Sequence, residues 1–330
     1  MPGMWLDIAR LGLGCVLLYF GAEWLVRGSA GLARALGVRP LVIGLTVVAY
    51  GTSAPELVVT LLAAIEGKSA IALGNVMGSN IANIGLILGI TALISPPRVE
   101  AGLIRREAPV MAVSAALIPL FLANGVISRL EGGLLLAGAV GFTFLTVRLA
   151  GVIRSEAPAL GEDIREEVKA EVSPERRSKL LALSVVGLAA LMAGGKVFVD
   201  GASGLAMALG MSERLVGLTI VAIGTSLPEL AASVIAALRG HSSIAIGNVV
   251  GSNIFNVLLI LGGASLAQPI EGSVAALRVD LGALAVFSLA ALVFMRGDRS
   301  ISRVEGGLLV GAYAAFLALV IGMTVAASPG

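Results

Sequence analysis

Apolar residues in this chain do not alternate with polar ones. They run in long blocks separated by short polar breaks. Ten blocks can be drawn, at about 5–26, 39–65, 69–94, 108–124, 132–153, 180–199, 214–238, 243–267, 279–296 and 307–327. Most approach or exceed the ~20 residues that carry a helix across a hydrocarbon core. The pattern therefore predicts an all-α polytopic membrane protein with ten transmembrane helices. The first block does not read as a cleaved leader, because no basic start precedes its core and it aligns with the sixth block. Five blocks lie on each side of the one clearly polar stretch, 154–179. Its mixed charges (Glu156, Glu162, Asp163, Arg165, Glu166, Glu167, Lys169) read as a solvated connector.

The polar positions inside the blocks repeat. Gly51-Thr52-Ser53-Ala54-Pro55-Glu56 returns as Gly224-Thr225-Ser226-Leu227-Pro228-Glu229, and Gly74-Asn75-Val76-Met77-Gly78-Ser79-Asn80 as Gly247-Asn248-Val249-Val250-Gly251-Ser252-Asn253. The offset is 173 residues throughout, and 44–89 matches 217–262 at 29 of 46 positions without a gap. Gly28, Gly31 and Gly37 return at the same offset as Gly201, Gly204 and Gly210. A repeat of five spans must cross the membrane in the opposite direction the second time. The expected organisation is thus a first repeat over 1–153, a linker over 154–179 and an inverted second repeat over 180–330. With the N-terminus outside, sixteen basic residues fall on the inner side and five on the outer, with Arg148 and Lys196 inside blocks. That bias places both termini outside and the linker in the cytoplasm. Inverted repeats with interrupted helices are a transporter architecture whose site lies near the midplane, where the repeats meet.

Composition agrees. The chain is 57% hydrophobic and 13% charged, with mean hydropathy +0.99, and its 43 glycines suit helices that associate through small side chains. The net charge of +2 gives no sign of a nucleic-acid partner, because the basic residues lie in short loops, and the surroundings expected from the apolar composition are the lipid bilayer. Cys15 is the only cysteine, so an internal disulfide is impossible, and it reads as a small packed residue.

The repeated motifs supply the candidate chemistry. Pro55 has no N–H to donate and its ring displaces the carbonyl of Gly51, so carbonyls across 49–52 are expected to leave the helix ladder. Within lipid such oxygens must be satisfied by protein, water or a ligand, and hard cations seek them. Glu56 lies too deep in its block to snorkel to the interface. Asn75, Ser79 and Asn83 recur at every fourth residue and share a helix face, as do Asn248, Ser252 and Asn256. Calcium takes six to eight oxygens, which the duplicated set reaches, and no thiolate or imidazole cluster favours a softer metal. Plainer readings exist. Ser53-x-x-Glu56 and Ser226-x-x-Glu229 match a capping box, and the asparagine stripe could be interhelical glue. Glu23 and Lys196, equivalent positions of opposite charge, suit snorkelling. His241, the lone histidine, reads as uninvolved.

On these paired motifs the chain resembles the calcium/cation antiporter superfamily, and more narrowly the prokaryotic sodium/calcium exchangers. The resemblance implies a ten-helix fold in which helices two, three, seven and eight surround the ions. It implies Glu56 and Glu229 as central carboxylates. Thr52, Ser53, Thr225 and Ser226 would give hydroxyl and backbone oxygens, and Ala49 and Ala222 backbone carbonyls. Ser79, Asn83, Ser252 and Asn256 would complete the set. Helices one and six would slide across this core. Some relatives have an aspartate at the position of Asn256, so this chain has two negative charges where they have three. The long regulatory loop of animal relatives is absent. The expected function is sodium/calcium antiport in a cell (inner) membrane, with calcium and sodium as transported ions, no prosthetic group and no enzyme activity. A calcium/proton antiporter on the same fold is the nearest alternative, a cation channel the next and an intramembrane enzyme the last.

Overall fold

In the computed structural model, which describes residues 2–156, 174–211, 216, 220 and 222–326, the apolar blocks are helical. Helix α1 spans Pro2–Leu36, and α2 consists of two half-helices, Pro40–Thr52 and Ala54–Ile65, bent by 48°. Then come α3 (Ser69–Ile94), α4 (Ala101–Asn124), α5 (Arg129–Glu156) and α6 (Pro174–Ala208). Helix α7 is described over Ala222–Gly224 and Leu227–Leu238 and is followed by α8 (Ser242–Ala267), α9 (Arg278–Arg296) and α10 (Arg303–Ala326). Most of the expected linker, and most of the seventh block before residue 222, lie outside the described residues. The chain is an all-α multi-pass membrane protein built from two inverted five-helix repeats.

The inversion can be read from two short strand contacts. Strand β1 (Val126–Ile127), in the α4–α5 turn, pairs antiparallel with β2 (Ile270–Glu271), in the α8–α9 turn. A matching bridge joins Arg98 in the α3–α4 turn to Ser300 in the α9–α10 turn, with Val99 N–H donating to Arg299 O at 2.7 Å. Since α4 crosses the membrane between Arg98 and Val126, the two contacts lie on opposite faces. Glu271 is the repeat equivalent of Arg98, yet it sits on the Val126 face. Equivalent positions therefore occupy opposite sides.

The repeat also extends further than the 173-residue offset reveals. Helix α5 begins Ser128-Arg129-Leu130-Glu131-Gly132-Gly133 and α10 begins Ser302-Arg303-Val304-Glu305-Gly306-Gly307, one residue out of register. Both starts are capping boxes: Ser128 N–H and Oγ each meet Glu131 Oε2 at 2.7 Å, and Ser302 does the same with Glu305 at 2.7 and 2.8 Å. The glycine after each box allows backbone contact with the central helices. A Cβ on Gly132 would lie 2.8 Å from Gly262 O of α8, and one on Gly306 2.7 Å from Gly89 O of α3.

Helices α3 and α8 form the centre. Their most apolar stretches are 72% and 94% buried, against 17% for α1. Helices α1 and α6 are longer than the apolar blocks at 5–26 and 180–199. Charged residues that end a hydropathy block do not by themselves end a helix: in α1 Glu23 is held by Arg27 one turn later at 2.5 Å, and α6 continues past the exposed Lys196 and Asp200 to Ala208. The two helices run antiparallel in close contact through glycines seven residues apart, Gly14, Gly21 and Gly28 on α1 and Gly187, Gly194 and Gly201 on α6. A Cβ at Gly187 would come 2.7 Å from Gly21 O, and one at Gly28 2.7 Å from Leu180 O.

Candidate ion site

Helices α2 and α7 break at Ser53 and Ser226, where ψ turns to 7° and 6°. Pro55 and Pro228 fall in the first two residues of the half-helix that follows, where a missing N–H costs little. The break is narrower than the proline alone suggests. Ser53 N–H still donates to Ala49 O at 3.1 Å, so that carbonyl keeps only its second lone pair for a ligand. In the second repeat Ser226 N–H turns instead to Ile223 O at 3.1 Å.

Glu56 and Glu229 occupy the first turn of these half-helices, where aligned N–H dipoles favour a negative charge. They are 2% and 1% exposed. The capping-box reading does not hold, since neither Ser53 nor Ser226 makes a side-chain cap bond. Each serine reaches across to the other repeat: Ser53 Oγ donates to Glu229 Oε1 at 3.2 Å and Ser226 Oγ to Glu56 Oε1 at 3.5 Å. The hydroxyls of Thr52 and Thr225 likewise lie against Glu229 and Glu56. The two sequence motifs thus converge on one locus with their partners exchanged.

Helices α3 and α8 fix the breaks. Asn75 Nδ2 donates to Glu56 O at 3.2 Å and to Thr60 Oγ1 at 2.8 Å. Asn248 Nδ2 makes the equivalent bonds to Glu229 O at 3.4 Å and Ser233 Oγ at 3.0 Å, and its Oδ1 accepts from Thr52 Oγ1 at 3.0 Å. The amides at the head of each stripe are therefore spent on positioning. Thr60 and Ser233 escaped sequence reasoning, although each lies four residues after its glutamate and so on the same helix face. Asn80 was also missed as a site residue. It accepts Asn256 Nδ2 on Oδ1 at 2.9 Å and donates to Asn253 O at 3.3 Å. An aspartate in place of Asn256 could not donate that bond.

Close helix contact brings these groups together. A Cβ at Gly247 would be 3.0 Å from Leu41 O, and one at Gly251 2.8 Å from Leu45 O, so α8 crosses the first half of α2 backbone to backbone. The repeat equivalents of Leu41 and Leu45, residues 214 and 218, lie outside the described residues. Among the described residues, three complete wide π-helical turns surround the locus: Gly44–Val48 leads into the α2 break, while Asn83–Leu88 and Asn256–Leu261 begin at the last residue of each stripe. Such turns recur at functional sites because they present backbone and side-chain groups off the regular ladder.

Ser79, Asn83, Ser252 and Asn256 are all buried. Six buried oxygens from the two motif regions have no hydrogen-bond partner: Glu56 Oε2, Glu229 Oε2, Asn83 Oδ1, Ser252 Oγ, Asn253 Oδ1 and Asn256 Oδ1. Among the described residues no three or more His, Cys, Asp or Glu side chains cluster to hold a metal. A cation placed at this locus would be met by two carboxylates and neutral oxygens, a donor set that suits hard ions.

Other residues singled out in the sequence lie elsewhere. Glu23 does not snorkel: it is buried on α1 and accepts from Arg239 Nε at 2.8 Å, whereas Lys196 is exposed. Cys15 is exposed rather than packed, because its neighbour Gly14 takes the face towards α6. His241 sits half-buried in the α7–α8 turn. Burial, and then the Arg34 charge, hold its pKa below the ordinary histidine range.

Comparison with known proteins gives the same direction. The family model described as sodium/calcium exchanger protein matches residues 6–148 and 179–322. The inner membrane protein YrbG of Escherichia coli is 37% identical over 96% of this chain and 97% of its own length. The sodium/calcium exchanger MaX1 of Methanosarcina acetivorans is 35% identical over 92% of this chain and 95% of its own. Among solved structures, the sodium-calcium exchanger NCX_Mj superposes with a TM-score of 0.82 at 32% identity, over 96% of this chain and 99% of that one.

Proposed function

Since the chain belongs to the sodium/calcium exchanger protein family, whose members are membrane ion exchangers, we propose that it couples inward sodium movement to outward calcium movement by alternating access. The ions would bind in turn between the repeats at Glu56 and Glu229. Thr52, Ser53, Thr225, Ser226, Ser79, Asn83, Ser252 and Asn256, with the carbonyls of Ala49 and Ala222, would complete their shell. The observation that carries this reading is the set of six buried, unpartnered oxygens. Each such group costs on the order of 1–3 kcal/mol when left unsatisfied, a cost that a bound cation offsets. Two carboxylates are neutralised by one calcium or by two sodium ions, so the two loads exclude each other from the same oxygens. That competition is the physical basis of exchange.

The coupling ion is tested by radioactive calcium uptake into sodium-loaded proteoliposomes diluted into sodium-free buffer at clamped pH and voltage. Uptake that requires internal sodium is the expected result. Uptake that ignores sodium and follows an imposed proton gradient would transfer the same site to calcium/proton exchange.

Asn256→Asp adds a third negative charge and removes the bond donated to Asn80. The expected outcome is a changed sodium or proton dependence of flux with normal membrane insertion, read by flux against each gradient. Unchanged dependence would show that this position does not touch the ions.

The charge bias of the turns supports both termini outside and residues 154–179 in the cytoplasm, joining repeats 1–153 and 180–330. A cysteine placed in 154–179 of a Cys15→Ser protein should react only with reagent supplied from the cytoplasmic side. Labelling from outside alone reverses the orientation.

A further inference from the structure

Because the repeats are related by inversion, a departure from their symmetry reports which conformation the chain has adopted. One departure is ionic. Arg239, in the α7–α8 turn, donates from Nε to Glu23 Oε2 at 2.8 Å, and Arg27 closes on the other carboxylate oxygen at 2.5 Å. The Glu23 side chain is 6% exposed, while the arginines that cover it are 66% and 46% exposed. At the 173-residue offset, Glu23, Arg27 and Arg239 correspond to Lys196, Asp200 and Glu66. Every charge is reversed, and the triad keeps its layout: two residues one turn apart on the long helix and one in the facing turn. On that second side it is not assembled. Lys196 and Asp200 are exposed, and among the described residues neither has an ion-pair partner. Glu66 is paired with its neighbour Lys68 at 2.7 Å.

Packing breaks symmetry in the same sense. Helix α1 seals against the second half of α7, where Leu18, Ala22, Leu25 and Val26 share a buried cluster with Ala232 and Ile235. Among the described residues, helix α6 makes no comparable seal on the second half of α2. There Val59 and Leu62, the equivalents of Ala232 and Ile235, are 37% and 53% exposed instead of 1% and 8%.

We propose that the two triads are alternating latches: Glu23, Arg27 and Arg239 hold the α1–α6 pair at one membrane face in the present conformation, and Lys196, Asp200 and Glu66 hold it at the opposite face in the reverse one. The proposal rests on the alternating-access reading above. The glycine contacts between α1 and α6 make them a unit, so a shift that opens the Arg239 contact carries Lys196 towards Glu66 and covers Val59 and Leu62. With the cytoplasmic linker proposed above, the assembled latch lies on the cytoplasmic side and the described conformation is open to the outside. Part-exposed ion pairs bias such an equilibrium several-fold rather than lock it, as a transporter that must leave both states requires.

The test uses the full chain carrying Cys15→Ser, with either Glu23→Cys and Arg239→Cys or Lys196→Cys and Glu66→Cys. Each protein is treated in proteoliposomes with a short reducible thiol-to-thiol linker. Linking is read by the mass of the intact chain and needs no flux. Both pairs are expected to link during ion exposure, each link to stop calcium flux, and reductant to restore it. A chain with all four cysteines should carry one link or the other, not both. A Lys196–Glu66 pair that never links, or that links with flux intact, overturns the proposal. Should the Glu23 variant fold poorly, the exposed pair serves alone. Lys196→Glu is expected to slow exchange several-fold and Glu66→Lys to restore it, and absence of that rescue also counts against the latch. Failure of the sodium/calcium reading shows separately, as calcium uptake by the reduced proteins that follows a proton gradient while linking proceeds as expected.

Discussion

Glu56→Gln or Glu229→Gln is expected to reduce calcium flux to background while leaving the protein folded in the membrane. The substitution conserves shape, and the amide oxygen can still accept the bond that Ser226 or Ser53 now gives to Oε1. What is lost is one of the two charges that would face the ion in the proposed site. At a ligand distance of about 2.4 Å and an effective dielectric constant of about 20, a calcium ion and one carboxylate charge attract by roughly 14 kcal/mol. Even if desolvation cancels most of this, a residual loss of about 4 kcal/mol weakens binding roughly a thousandfold. The measurement is calcium flux beside the thermal unfolding midpoint of the purified protein. Loss of flux at an unchanged midpoint is the expected pair of results, and normal flux in either variant removes these carboxylates from the site.

The second large effect concerns movement rather than binding. Gly187 lies where α6 touches α1 backbone to backbone, and a Cβ there would sit 2.7 Å from Gly21 O. Gly187→Leu cannot be absorbed by a rotamer change, because the obstacle is main chain. Overpacking of this kind costs about 1–3 kcal/mol, and membrane helices that associate through small residues have little else to hold them together. Exchange should fall at least tenfold and the unfolding midpoint should drop. Gly12→Leu is the control on α1, since no atom lies within 4 Å of a Cβ at that position. It should be close to neutral in both measurements. Equal effects at the two positions would show that the glycine contacts are not what couples α1 to α6.

The repeat offset made the architecture legible, because an odd number of apolar blocks per copy forces inversion and a proline-glutamate pair inside a block forces a broken helix. Which residues gather at the candidate locus was legible for the same reason. Its wiring was not. Two copies of Ser-x-x-Glu look like two caps, and only the tertiary meeting of α2 and α7 gives each serine to the other copy's glutamate. The Asn75 and Asn248 amides lie on the predicted faces, but periodicity does not tell a ligand from a prop. The ends of α1 and α6 were misjudged because hydropathy stops at Glu23 and Arg27 in the first repeat and at Lys196 and Asp200 in the second. The reversed charges at those positions were visible in the sequence, but their shared partners, Arg239 and Glu66, were not. The π-helical turns at Asn83 and Asn256 sit in ordinary apolar runs with no local signal.

The central claim is that sodium and calcium compete for one oxygen cage between the repeats. Equilibrium binding of radioactive calcium to the purified protein, titrated with sodium chloride against choline chloride at equal ionic strength, tests it most directly. The account predicts saturable calcium binding that sodium displaces more steeply than a single-ion competitor would, and that disappears when Glu56→Gln and Glu229→Gln are combined. Calcium binding that persists in the double variant, or that sodium and choline reduce equally, would contradict it.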